Sequence, residues 1–253
     1  MSSSVVALIV FGCTFVAALA GMALRVKLPA RYLDEESRDV VKLVMGLIAT
    51  VAALVLSLLI ASARTAYDRQ ESEVQQVGID LLLLDRALAH YGPETADARA
   101  LLRQIVTAQL DEIWPAGSAA MPSKLTPAPR PEAEAFFDLI LSLTPKTDAQ
   151  RFGQTRALQL MSEMGATRQL LYEQAGGSLS WPFFVVLVSW LVALFVGFGM
   201  FTRFNATVAT AVLVGSLTVS GAIFLILEMS RPYTGMMQIS SAPIRNALAQ
   251  IGR

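Results

Sequence analysis

The sequence predicts an all-α membrane protein: four transmembrane helices, with an α-helical soluble domain inserted between the second and the third. Four apolar stretches carry that prediction, Val5–Leu24, Val41–Ala63, Trp181–Phe201 and Val208–Leu227, placed two at each end of a 253-residue chain. A helix rises about 1.5 Å per residue, so roughly 20 apolar residues cross about 30 Å of hydrocarbon, and each stretch meets that length. None has a charged residue near its centre, since Lys42 and Glu228 lie at the edges. In lipid every backbone polar group must find a partner within the chain, which makes isolated apolar runs of this length helical. The resulting division is 1–63 for the first transmembrane pair, 64–179 for the soluble domain, 180–229 for the second transmembrane hairpin and 230–253 for an amphipathic tail.

The first stretch opens the chain. Ala18-Leu19-Ala20 before Gly21 resembles a signal-peptidase site, and Val10-Phe11-Gly12-Cys13 a lipoprotein box, but Met1-Ser2-Ser3-Ser4 supplies no basic region for either. A retained anchor is expected. Cys13 is the only cysteine, so no disulfide forms within the chain, and it is expected to act as a small buried apolar residue. Arg25, Lys27 and Arg31 in the following connection suit headgroup depth.

No stop signal ends the second stretch. Beyond Arg64 the pattern turns polar yet keeps Tyr67, Val74, Val77, Leu81, Leu84, Leu88 and Tyr91 at a/d spacing, with Gln70 as the polar exception. One continuous helix of about 45 residues is expected, reaching ~40 Å past the membrane before Tyr91-Gly92-Pro93 stops it. The seam can bury itself against other soluble helices or pair with another chain. A second soluble helix spans about Glu94 to Trp114, and a proline-marked linker, Ala116 to Pro131, follows without secondary structure. A third runs from about Glu132 to Leu143. Thr147 with Gln150 three residues on is a capping box for a fourth, to about Ala175. Ser180-Trp181-Pro182 reads as an N-cap, interfacial aromatic and early-turn proline for the third span. The last two spans form a tight hairpin around Arg203, and Ser241 with Pro243 starts a short amphipathic helix through Ile244, Leu248 and Ile251.

Chemistry is sparse. Twenty basic against 20 acidic side chains leave no electrostatic case for nucleic acid. The single histidine, His90, allows no Ser-His-Asp set, and neither a phosphate loop nor metal spacing occurs. Intramembrane carboxylates that would couple protons or sodium are missing. The expectation is no enzyme, no cofactor and no metal, with the bilayer as the main partner. What remains is helix surface. Gly46, Thr50, Ala53, Ser57 and Ala61 recur at steps of four, three, four and four, which places them on one face of the second span. Thr207, Ala211, Thr218 and Ala222 form a similar face on the last. Such faces either let helices approach closely in lipid or line a narrow neutral pore when several copies assemble.

Several segments resemble the bestrophin-like family of bacterial membrane proteins. They are Gly46-Leu47-Ile48-Ala49-Thr50 through Leu54 to Ala63 and on to Tyr67-Asp68, then Leu84-Asp85-Arg86, His90-Tyr91-Gly92-Pro93-Glu94 and Ile113-Trp114-Pro115. The tail adds Arg231-Pro232-Tyr233-Thr234-Gly235 and Ser240-Ser241-Ala242-Pro243-Ile244, so the likeness covers nearly the whole chain in order. Kinship with bestrophins implies a pentamer in the bacterial inner (plasma) membrane that passes small anions along its second helix. On that analogy Gly46, Thr50, Ala53 and Ser57 line the pore and Arg64 stands at its mouth. The aromatic constriction of bestrophins has no counterpart between Val41 and Ala63, and one carboxylate after the last span, Glu228, makes no calcium clasp. The alternative is a non-conducting scaffold or sensor whose soluble domain binds another protein. Four spans put both termini and the soluble domain on one side. Arg25, Lys27 and Arg31 favour an outward domain, and the resemblance implies the opposite.

Overall fold

Helices account for nearly all the described residues, 2–27, 35–114, 131–176, 181–202, 204–233 and 235–252 of a computed structural model. In order they are α1 (Ser3–Lys27), α2 (Glu35–Tyr91), α3 (Ala96–Ile113), α4 (Pro131–Leu141), α5 (Asp148–Gly176), α6 (Trp181–Phe201), α7 (Ala206–Met229) and α8 (Ala242–Gln250), with a 3-10 turn at Pro93–Thr95. No strand occurs among these residues. Four helices are long and apolar enough to cross a membrane: α1, the first part of α2, α6 and α7. The linker expected at 116–131, the Ser180 cap, Arg31 and Arg203 fall outside the described residues, apart from Pro131, which opens α4. Two compact units emerge, one of Met1–Ala66 with Ser178–Ser230, the other of Tyr67–Gly177 with Arg231–Arg253.

In the first unit α1 packs against α6 and α7. Glycine makes the α1–α6 approach close: a Cβ on Gly21 would overlap the Val196 carbonyl, and one on Gly199 the Ala18 carbonyl. The two contacts are reciprocal, each helix offering a glycine to the other's backbone. Lipid tails are as apolar as the side chains, so dense contact of this kind, rather than escape from water, holds membrane helices together. The hydroxyl of Thr14, fully buried, donates to the Val10 carbonyl at 2.9 Å and so needs no partner from a neighbouring helix. By contrast α2 is peripheral. Only 6% of its apolar stretch is buried, against 28–33% for the other three.

Helix α2 is longer than the sequence pattern suggested, 57 residues, because it begins at Glu35 rather than in the apolar run. The stop falls as expected. Gly92 adopts φ 135°, a conformation L side chains avoid, and Thr95 Oγ1 donates to the Leu88 and Gly92 carbonyls at 2.6 and 2.8 Å. The hydroxyl's single proton is shared between them, and the Thr95 N–H also donates to the Gly92 carbonyl at 3.2 Å.

The second unit buries the a/d seam of α2. Leu81, Leu84 and Leu88 join Leu102 and Val106 of α3, Phe136 and Ile140 of α4 and Leu160 of α5 in one core. The expectation that the seam might pair with another chain is therefore set aside: Val77 packs against this core and Leu84 lies within it. Asp85 and Arg99 fasten α2 to α3 through two hydrogen bonds of 2.8 and 2.9 Å. The hydrogen-bonded carboxylate raises the Arg99 pKa, with burial opposing. Half of the capping box forms as read, Gln150 N–H donating to Thr147 Oγ1 at 3.2 Å, while Gln150 Oε1 accepts from the Lys146 N–H at 2.8 Å and its Nε2 donates to the Tyr91 carbonyl at 3.0 Å. Helix α4 ends at Leu141, two residues early, because Gln154 Nε2 takes the Ile140 and Leu143 carbonyls at 2.9 and 3.0 Å. Ala247 and Ile251 of α8 are fully buried in the same core, and Arg103 Nη1 donates to the Ile251 carbonyl at 3.2 Å.

Two glycines separate packing from open surface. Gly21→Leu forces a side chain into the α6 backbone and should destabilise the protein by at least about 2 kcal/mol. At Gly46 an added Cβ meets nothing within 4 Å, so Gly46→Leu should not lower thermal stability. Melting of both variants in detergent checks this pair of outcomes.

Candidate functional site on the second helix

Three sides can be distinguished on the membrane portion of α2. One packs: Ala52 is buried, with Met45, Ile48, Ala49, Val55, Leu56 and Leu59 beside it, against Leu187, Leu191 and Leu194 of α6. A second bears bulky exposed side chains, Leu43, Leu47, Leu54 and Leu58, suited to lipid. The third is the small face. Gly46, Thr50, Ala53, Ser57 and Ala61 are all exposed, as is Arg64 at its end. Nothing lies within 4 Å of a Cβ built on Gly46. Thr50 Oγ1 donates to the Gly46 carbonyl at 2.9 Å, so the hydroxyl is satisfied along its own helix and turns its lone pairs outward. The face carries no charge within the span, and Arg64, which is engaged with a neighbour, marks where charge begins.

The last span repeats the pattern. Thr207, Ala211 and Thr218 are exposed and Ala222 half-buried, with Thr218 Oγ1 donating to the Val214 carbonyl at 2.9 Å. Its opposite side, Val212, Ser216, Ser220 and Ile223, is buried. Gly215 stands beside the small face and meets only the Phe195 ring, at 3.6 Å. Thus, among the described residues, the small face of α2 is left exposed and that of α7 largely so. The glycines that are spent on packing, Gly21 and Gly199, were missed in the sequence, where each shares its span with another glycine, Gly12 and Gly197. Cys13 is exposed rather than buried, and His90 is exposed as well. Among the described residues no group of three or more His, Cys, Asp or Glu could hold a metal ion.

A second polar assembly, also missed, lies within the soluble unit. Trp114 Nε1 donates to the Ile239 carbonyl at 2.9 Å, and its ring meets Tyr233 edge-on at 5.8 Å. Glu73 on α2 accepts from Arg69 Nε at 3.0 Å. Burial, and then the charge of Glu73, push the Tyr233 hydroxyl up to about 12. The helical period of α2 gave no hint of this, because the partners arrive from 114 and 233, far along the chain.

Helices throughout the described residues, four of them long and apolar enough to cross a membrane, mark an integral membrane protein. The Bestrophin-like domain matches residues 12–244, and the chain belongs to the bestrophin-like family. No curated protein matches it, and no solved structure does.

Tyr233 makes a pH prediction. Its ordinary pKa is 10.0 and its folded value about 12, so the neutral phenol is favoured in the folded state. The unfolded chain gains by ionising above pH 10.0 while the folded chain does not until about 12. Stability from this group is complete below 10 and is lost across that window. Melting temperature measured from pH 9 to 12 should fall less steeply for Tyr233→Phe than for the native protein.

Proposed function

We propose that the protein is an oligomeric, ion-conducting membrane protein in which the small face of α2 lines the path. One observation carries this reading: Gly46, Thr50, Ala53 and Ser57 stay bare while the chain packs α2 by a different side. Small residues facing acyl chains pack poorly, so such a face gains most against other copies of itself or around an axial space. Family membership supports the same reading, since bestrophins are channels that form pentamers around their second helices. Small anions in a bacterial inner (plasma) membrane are the transport that kinship points to. A neutral face of hydroxyls and backbone dipoles would select by constriction rather than by fixed charge, with Arg64 at the mouth adding a cation. The exposed faces of α7, Thr207, Ala211 and Thr218, then serve contacts between copies.

A non-conducting scaffold is the second reading. Its original support, the a/d seam, is consumed in the core, but Ile79 and Leu141, each 51% exposed, and Phe152, 74% exposed, leave apolar side chains on the soluble unit for a protein partner.

Purified protein in liposomes should pass chloride above the level of empty vesicles. Thr50→Leu and Ser57→Leu, which put branched side chains on the face, should each lower that flux at least about tenfold, a barrier change of ~1.4 kcal/mol. Leu47→Ala on the lipid side should not. No flux above empty vesicles, with Thr50 and Ser57 substitutions silent, would end the channel reading.

A further inference from the structure

The chain that leaves the last apolar helix comes straight back to the second. Tyr233 follows the end of α7, Met229, by four residues and already lies against Trp114 and within reach of the charge of Glu73. Ile239 N–H donates to the Pro232 carbonyl at 2.8 Å and closes the loop between them. Trp114 Nε1 holds the Ile239 carbonyl, Ile239 is buried, and the Pro243 backbone sits so near α2 that a Cβ on Gly78 would meet it at 3.1 Å. These contacts draw the segment in.

Glu73 works against them. Its Oε1 is paired with Arg69, but Oε2 is out of contact with solvent and accepts no hydrogen bond. A carboxylate oxygen withdrawn from water without a donor costs free energy, and the cost here is partial because the side chain keeps 15% of its exposure. Tyr233, whose hydroxyl stays protonated up to about pH 12, brings a phenol close to this carboxylate without relieving Oε2. Apolar contacts and an indole hydrogen bond therefore hold the segment against α2 and α3, and one stranded carboxylate oxygen loosens it. An element balanced in this way is one whose population a modest bias can shift.

We propose that residues 231–251 form a latch within the soluble unit, seated by Trp114 and kept weak by Glu73, that engages and releases α2 and α3. Glue alone would have no use for the unsatisfied oxygen. The latch links α2, which carries Glu73, to the residues that directly follow α7. Its effect on ion flux rests on the channel reading, whereas its existence does not.

Hydrogen exchange of the full-length protein in detergent separates the two. Glu73→Met removes the charge and keeps the bulk, and should slow exchange of the 239–251 amides at least about fivefold. Trp114→Phe, which deletes the indole donor, should speed it by a similar factor. Should the methionine variant fail to fold, Glu73→Gln, with the same shape and no charge, should change exchange in the same direction. Exchange in the Glu73 variants that equals or exceeds the native rate would overturn the latch whatever the flux. In liposomes the expected result is lower chloride flux for Glu73→Met than for native protein. Slowed exchange in a protein that passes no ions would keep the latch and retire the pore.

Discussion

Helices in lipid gain nothing by hiding apolar side chains from one another, so the first unit depends on how closely backbones approach. The reciprocal glycine contact supplies that approach: Gly21 lies on the α6 backbone and Gly199 on the α1 backbone. Because α1 and α6 make their dense contact with each other, and α1 also holds α7, the second helix is left to attach by side chains along one side. That arrangement is what exposes its small face. The exposed small face of α2 thus accompanies glycine placement on two other helices.

The soluble unit obeys the opposite solvent. Water drives Leu81, Leu84 and Leu88 into a shared core, with Val77 of the same stripe packed against it. Polar links then fix the joints: Asp85 to Arg99 between α2 and α3, Gln150 to the end of α2, and Gln154 to the end of α4. Most segments that carry the likeness to bestrophin-like proteins lie at these joints. Asp85 is a salt-bridge partner, Gly92 a corner, Trp114 an anchor for Ile239, and Pro243 a close contact of Gly78. Likeness in those motifs speaks first of architecture. The plainer stretch from Gly46 to Arg64 has no part in these joints, and its small residues are exposed.

Much of this was legible in the residues. Unbroken apolar runs announce four membrane-length helices because hydrocarbon tolerates no unpaired backbone. The a/d spacing after Arg64, the Gly92-Pro93 stop and the Thr147–Gln150 box are local signals, each acting within a turn or two, and each is found in place. The seam's partner was not legible, because a heptad stripe looks alike whether its neighbour comes from the same chain or another. Nor was the Tyr233, Trp114 and Glu73 assembly, whose members are separated by 41 and 119 residues.

By itself, then, the sequence determined which segments are helical, which of them suit lipid, and where small residues line up along a face. Only the tertiary structure decided which small residues are used. Gly21 and Gly199 look weaker in the sequence than the stripes on α2 and α7, yet they take the close contacts, and the stripes stay open. The reason is geometric: spacing along one helix says which residues share a face, whereas contact in lipid depends on whether a second backbone passes within reach of it, and that is a property of two helices together.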